Sequence, residues 1–167
     1  ASTAQSEVFN LKICTIKLPT GYTDMFLEFH LSGRSGKRWE VVRVGVNKAN
    51  TTAINEKYIK VSGHYGNVYS VEGYHYTDAT NGDYLEIWCS VPSWDTVNIV
   101  KKTLTGNFSA VKDCVTWNIA KATLPTISST IVKLDATLEE WSGAAASLKN
   151  SRTINGTAFD GTSNITT

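Results

Sequence analysis

The sequence has few of the residues that cross-link or interrupt a chain, with 3 cysteines and 3 prolines in 167 residues. Cys14, Cys89 and Cys114 are odd in number and far apart. This spacing predicts neither a disulfide framework nor a zinc site, which needs close cysteine pairs. Cys14 and Cys89 fall inside apparent strands, so we expect buried, reduced thiols.

An excess of one charge is also missing, because Lys and Arg total 16 against 15 for Asp and Glu. A nucleic-acid-binding surface would need a basic excess, so no nucleic-acid partner is expected. No apolar run approaches the length that spans a bilayer, so membrane insertion is not expected either. The length suits one domain with an appendage.

The motifs of common enzymes are absent as well. The sequence contains no Gly-x-Ser-x-Gly, no His-Glu-x-x-His, no phosphate-binding glycine loop and no calcium-binding loop. The spacing of His30, His64 and His75 defines no metal site, and no spacing among the acidic residues singles out a glycosidase-like pair. We therefore expect no enzymatic activity, no cofactor and no metal.

What the sequence does contain is one β pattern after another between residues 8 and 124. Apolar residues alternate with polar ones in two clear inward sets, one at Met25, Leu27, Phe29 and Leu31 and one at Leu85, Ile87, Cys89 and Val91. A change of phase near Cys14 predicts a bulge in the first strand. About eight closely spaced strands without intervening helices predict a mainly β fold, an antiparallel β-sandwich or jelly roll.

The pattern changes after residue 124. Residues 126–134 suit one more extended piece, and Leu134, Leu138 and Trp141 begin a stripe at helical spacing. Asp135 is the expected N-cap, with Leu138 opening a short helix. The predicted organisation is a linker at residues 1–7, a sandwich at 8–124, an extended piece plus short helix at 125–150, and the start of a further module at 151–167.

The last residues carry two turn dipeptides, Asn155-Gly156 and Asp160-Gly161, between short extended pieces. Residues 144–166 resemble the A-R-T-I-N-G-x-x-F-D-G-T-x-N-I-T signature of tail-fibre proteins of tailed bacteriophages and prophages. Ser151 stands where that family usually has Ala. The match is nearly continuous, but it covers only about the last quarter of the chain. The amino-terminal pattern K-I-C-x-I-x-L-P, followed by an alternating strand, looks more loosely like fibre β-sandwich modules.

The resemblance implies a homotrimer, assembled in the host cytoplasm and placed in the virion tail. Implied partners are a bacterial surface glycan or protein receptor and other tail or baseplate proteins. The helix stripe would then pack against its own copies rather than against its own sandwich. Two other functions stay open: a structural shaft or spacer domain without a ligand, and a carbohydrate-binding module of a secreted enzyme.

Aromatic residues on the outward phase of strands and in loops are the candidate binding residues. Exposed rings beside polar groups suit sugar recognition, because rings stack on sugar C–H faces while polar groups bind the hydroxyls. The same rings on a strand face also suit a subunit interface. The expected ligand-binding residues are Tyr65, Trp94, Trp39, Tyr74 and Tyr76. The expected trimer-interface residues are Tyr84, Trp88, Leu138 and Trp141.

Overall fold

The computed structural model describes residues 7–18, 21–33, 39–48, 54–64, 70–78, 82–107, 113–138, 152–154 and 157–159. Within these ranges all regular elements are β-strands. In spatial order, sheet A consists of β8 (Val115–Lys121), β1 (Phe9–Lys17), β6 (Gly82–Val91), β5 (Ser70–Asp78) and β9 (Ile131–Asp135). Sheet B consists of β10 (Thr137–Leu138), β4 (Ile54–His64), β3 (Trp39–Lys48), β2 (Thr23–Ser32) and β7 (Asn98–Gly106).

The two sheets form a sandwich around one apolar core, so the prediction of a mainly β, sandwich-like domain is confirmed. The inward sets on β2 and β6 are both fully buried, as alternation requires. Every strand pair in the two sheets is antiparallel except β10 with β4. A separate antiparallel hairpin consists of β11 (Arg152–Ile154) and β12 (Thr157–Phe159).

The phase change in the first strand is a β-bulge. The register of β1 against both neighbours shifts between Lys12 and Cys14. As a result Ile13 and Cys14 are both buried, although they are adjacent in sequence. The predicted bulge is confirmed.

The predicted start of a helix at Asp135 is wrong. Asp135 ends β9, and Leu138 belongs to β10, which pairs in parallel with Val61 of β4. Backbone groups of Thr137 and Leu138 find hydrogen-bond partners at the open edge of β4 in sheet B. This pairing overrides the local helical pattern. The remainder of the predicted helix, residues 139–150, lies outside the described residues.

Residues 122–130, which we call the strap, connect β8 at one edge of sheet A to β9 at the opposite edge. The two edges are four strand spacings apart, which is about 19 Å. Along the strand direction, the registers place Lys121 and Ile131 about 17 Å apart. The diagonal is about 25 Å, and the strap can span up to ~33 Å. A direct diagonal over sheet A is therefore within the reach of the strap.

Backbone hydrogen bonds hold the strap at both ends. Ala122 N–H donates to Asn10 O at 3.2 Å, and Thr77 N–H donates to Thr130 O at 2.9 Å. In between, Leu124 and Pro125 are half-buried. Both ends of the strap are therefore fixed to strands of sheet A.

Candidate functional site: one end of the sandwich and two aromatic sheet faces

Two of the predicted loop aromatics lie at one end of the sandwich. At this end β2, β4 and β6 finish and β3, β5 and β7 begin, and we call it the loop end. Trp39 is the first residue of β3, and Trp94 lies in the connection from β6 to β7. Tyr65 directly follows β4 in the sequence but lies outside the described residues.

Trp94 sits on a tight turn formed by residues 92–95. The turn is closed by the Asp95 N–H, which donates to Pro92 O at 3.3 Å. Trp94 occupies the third position with φ of 61°, a left-handed conformation that bulky residues rarely adopt. Its side chain is nevertheless 62% exposed. A strained backbone that presents an exposed aromatic ring is typical of functional sites.

The residues after Trp94 anchor this turn to the core. Asp95 is buried, and its Oδ1 accepts a hydrogen bond from Thr96 N–H at 2.8 Å. Val97 is buried among the core residues. Glu40 is also buried, and burial together with the nearby Glu40 and Asp95 carboxylates raises the pKa of Cys89. Trp94 is therefore presented by a fixed turn that lies next to buried acidic residues.

The outer face of sheet B carries exposed rings and an ion pair. Trp39 lies 6.5 Å from His30, between ring centroids. Along the same face, Arg43 donates through Nε to Glu28 Oε2 at 3.0 Å. Tyr58 lies beyond this ion pair. These residues share one surface because they occupy the same phase on neighbouring strands.

The outer face of sheet A is built around Glu86. Its Oε2 accepts hydrogen bonds from Trp88 Nε1–H and from Tyr76 OH, both at 3.1 Å. Its Oε1 pairs with Lys12. Tyr76 also stacks on Tyr84, with ring centroids 4.4 Å apart and planes 11° from parallel.

A second network on the same face is built around Glu72. Tyr74 OH donates to Glu72 Oε1 at 2.9 Å, and Lys133 Nζ pairs with Glu72 Oε2 at 2.9 Å. Lys133 also contacts Asp135 Oδ1 at 2.9 Å. Burial, and then the bond to Glu72, raises the pKa of Tyr74 to about 12. The hydroxyl therefore stays protonated and remains a donor.

The outward face of sheet A is largely covered in the folded chain. Trp88 and Tyr74 are each only 3% exposed, although both point away from the core. Tyr76 and Tyr84 are half-buried, and each uses one ring face on the other. Sheet A therefore offers a ligand or a second subunit much less aromatic surface than the outward phase of these residues suggests.

A charged cluster lies between the sheets at the end opposite the loop end. Asp83 Oδ2 lies 3.4 Å from Lys48 Nζ, and Asp83 Oδ1 lies 3.5 Å from His75 Nε2. All three residues are buried. Burial, followed by the nearby Lys57 ammonium, lowers the pKa of His75.

The cysteines are confirmed as buried free thiols. Burial raises the pKa of Cys114 to about 11, and it also raises the pKa of Cys14 and Cys89. Thiols in this state are poor nucleophiles. The described residues include no cluster of three or more potential metal ligands, and no helix among them could cross a membrane.

The structure brings Trp39 and Trp94 to one end, and it places Tyr74, Tyr76, Tyr84 and Trp88 on one face of sheet A. The Leu138 side chain and Trp141 lie outside the described part of the chain. Sequence reasoning missed Tyr58. The signal available for it was Gly45, a glycine inside a strand pattern, which often marks a close approach by another group.

No known protein family and no curated protein match the sequence. Among solved structures, the chain is similar to WceF of Pantoea stewartii, described as a glycan biofilm modifying enzyme with a bacteriophage tailspike-like parallel beta-helix fold. The TM-score is 0.46 at 11% sequence identity, and the match covers 95% of this chain. The chain spans 28% of the length of that protein.

Proposed function

We propose that this chain is a segment of a phage or prophage tail fibre whose β-sandwich attaches the particle to a glycan on the bacterial surface. It acts by binding and not by catalysis. The fibre is a homotrimer in the virion tail, joined to other tail or baseplate proteins. The tail-fibre-like signature in residues 144–166 supports the assignment to a fibre.

The observation that carries the binding role is the Trp94 turn. Trp94 is 62% exposed, its backbone is left-handed, and Asp95, the last residue of its turn, is buried. Such an exposed ring can stack on the C–H face of a sugar. Because buried Asp95 and Val97 fix the turn, little conformational entropy is lost when a ligand binds.

Attachment by weak single sites becomes strong through repetition. Three copies of the Trp94 turn on one fibre axis, multiplied over several fibres, raise the effective concentration of the second and later contacts. Each site then needs only modest affinity. This mechanism suits a single ring on an exposed turn.

The test is binding of the mass-verified protein to intact bacteria and to an array of bacterial surface glycans. Trp94→Ala is expected to lower binding at least tenfold. Tyr22→Ala is the matched control, because Tyr22 is also 62% exposed but lies near the opposite end of the sandwich. The control is expected to bind like the unmodified protein. Loss of binding in both variants would contradict a site at Trp94.

Trp94→Gly separates the role of the ring from that of the backbone. Glycine adopts positive φ without strain, so this variant should be up to about 1 kcal/mol more stable to urea than Trp94→Ala. Both variants should bind equally poorly, because both lack the indole. An unmodified protein that binds no bacterial strain and no glycan would favour the shaft function instead.

A further inference from the structure

The outer face of sheet B carries two aromatic rings in line along β3. Trp39 begins this strand on the outer phase, and Gly45 lies further along the same phase. Tyr58 of β4 is paired directly with Gly45. At ~3.3 Å per residue, the two rings are about 20 Å apart along the strand.

Tyr58 is held against the backbone of β3. A Cβ atom added at Gly45 would lie 2.2 Å from Tyr58 Cζ and 2.3 Å from Cε1, so the ring occupies the space that a side chain would fill. Its other side stays open, since Tyr58 is 38% exposed. The Lys60 ammonium lies over the ring, 5.6 Å from its centroid, and can serve as a donor there.

Polar groups fill the space between the two rings. Arg43 binds Glu28 through Nε and donates through Nη1 to Ser62 Oγ at 3.3 Å. The Arg43 and Glu28 side chains are 32% and 24% exposed, so both keep atoms accessible to solvent. His30 lies 3.5 Å from Glu28, between this ion pair and Trp39.

This order of groups matches the chemistry of an extended sugar chain. A polysaccharide presents C–H faces for stacking at intervals and hydroxyls in between. The described side chains on this face include both signs of charge, which argues against a site built for a strongly charged polymer. A compact apolar partner would remove water from the Arg43–Glu28 pair and would offer no hydrogen bonds to offset this desolvation.

We propose that the outer face of sheet B binds a linear glycan lying along β3, with Tyr58 at one end and Trp39 at the other. The Arg43–Glu28 pair binds its hydroxyls. Trp39 also lies at the loop end, so the chain of sugars continues toward the Trp94 turn. This inference rests on the proposed function, since it specifies the form of the glycan that the fibre binds.

The probes are uncharged bacterial lipopolysaccharide O-chains and uncharged capsular polysaccharides on an array, with mono- and disaccharides of the same composition in solution. The unmodified protein is expected to bind the long chains, and the short sugars should compete at least a hundredfold less well. Tyr58→Ala and Trp39→Ala are each expected to lower binding to long chains at least tenfold. Tyr22→Ala again serves as the exposed control.

Two further outcomes would overturn the linear-glycan site on sheet B without overturning the proposed function. If Trp94→Ala abolishes binding while Tyr58→Ala and Trp39→Ala leave it unchanged, the glycan binds at the turn only. Equal competition by the short sugars would remove the requirement for an extended ligand. In either case attachment through Trp94 still stands, whereas absence of binding to every probe would overturn both proposals.

A last control tests whether a second copy of the chain, and not a glycan, occupies this face. The mass of Tyr58→Ala in solution is expected to equal that of the unmodified protein. A change in oligomeric mass would show that the face contacts another subunit, and this result would also overturn the glycan site.

Discussion

At the scale of single residues, the interior of the sandwich contains charge as well as apolar side chains. Lys48, His75 and Asp83 are buried at one end of the core, with Asp83 between the other two. Burial of a charge is tolerated only when a partner compensates it. His75 avoids the cost of a buried charge by remaining neutral, because burial and the nearby Lys57 lower its pKa.

The folding stability should therefore depend on pH through His75. Its pKa in the folded state is below the ordinary value of 6.5, so the unfolded chain binds more protons as the pH falls through this region. The stabilisation is complete above pH ~6.5 and declines as the pH falls toward the folded-state pKa. Urea unfolding between pH 8 and 5 should show decreasing stability, and His75→Gln should flatten this slope.

If His75→Gln and the unmodified protein lose stability in parallel on acidification, other groups are responsible.

At the scale of elements, the two sheets approach each other closely where β5 crosses β4. Gly73 is buried there on the inner face of β5, and an added Cβ atom would lie 2.7 Å from Ile59 Cδ1 and 3.3 Å from Leu85 Cδ1. Both neighbours are fully buried and have little room to move. A side chain at position 73 would therefore separate the sheets or force strained rotamers.

Gly73→Ala is expected to lower the free energy of unfolding by about 1–3 kcal/mol, as overpacking does. The control is Gly106→Ala at the exposed end of β7, which should change it by no more than about 0.5 kcal/mol. Urea titrations of the two variants provide the comparison. Equal stability of both would show that the contact at Gly73 relaxes without penalty.

The strands themselves could be predicted because alternation has a direct physical cause. One face of each strand must be buried, so Met25, Leu27 and Phe29 define both the strand and its orientation. The positions of β9 and β10 could not be predicted, since they depend on the open edges of β5 and β4, which are distant in sequence. Local pattern favoured an extended piece at residues 126–134 and a helix from Asp135, but long-range pairing made Thr137 and Leu138 a strand.

The candidate site was predictable to the same extent. The types of residue and their outward phase follow from the sequence, as Trp88 and Tyr74 illustrate. Their exposure does not, because both are buried on the outward face, where the packing depends on how the strands assemble into sheet A. Trp94 was recognisable as a loop aromatic, whereas its left-handed backbone is a property of the folded turn.

At the scale of the whole molecule, the proposed fibre requires self-association. We expect a mass in solution of three times the chain mass of 18.3 kDa. The mass can be measured by light scattering on the eluted peak, over a range of concentrations. A monomer at all concentrations would argue strongly against the fibre and would favour a carbohydrate-binding module.

Tension would act on this sandwich in a particular direction. The chain enters sheet A at Phe9, at the loop end, and β10 leaves sheet B running toward that same end. A force pulling the chain apart on either side of the sandwich would therefore act across its width and not along its strands. Hydrogen bonds between strands would then break one pair at a time, at low force. In the proposed fibre, neighbouring chains would therefore have to carry most of this mechanical load.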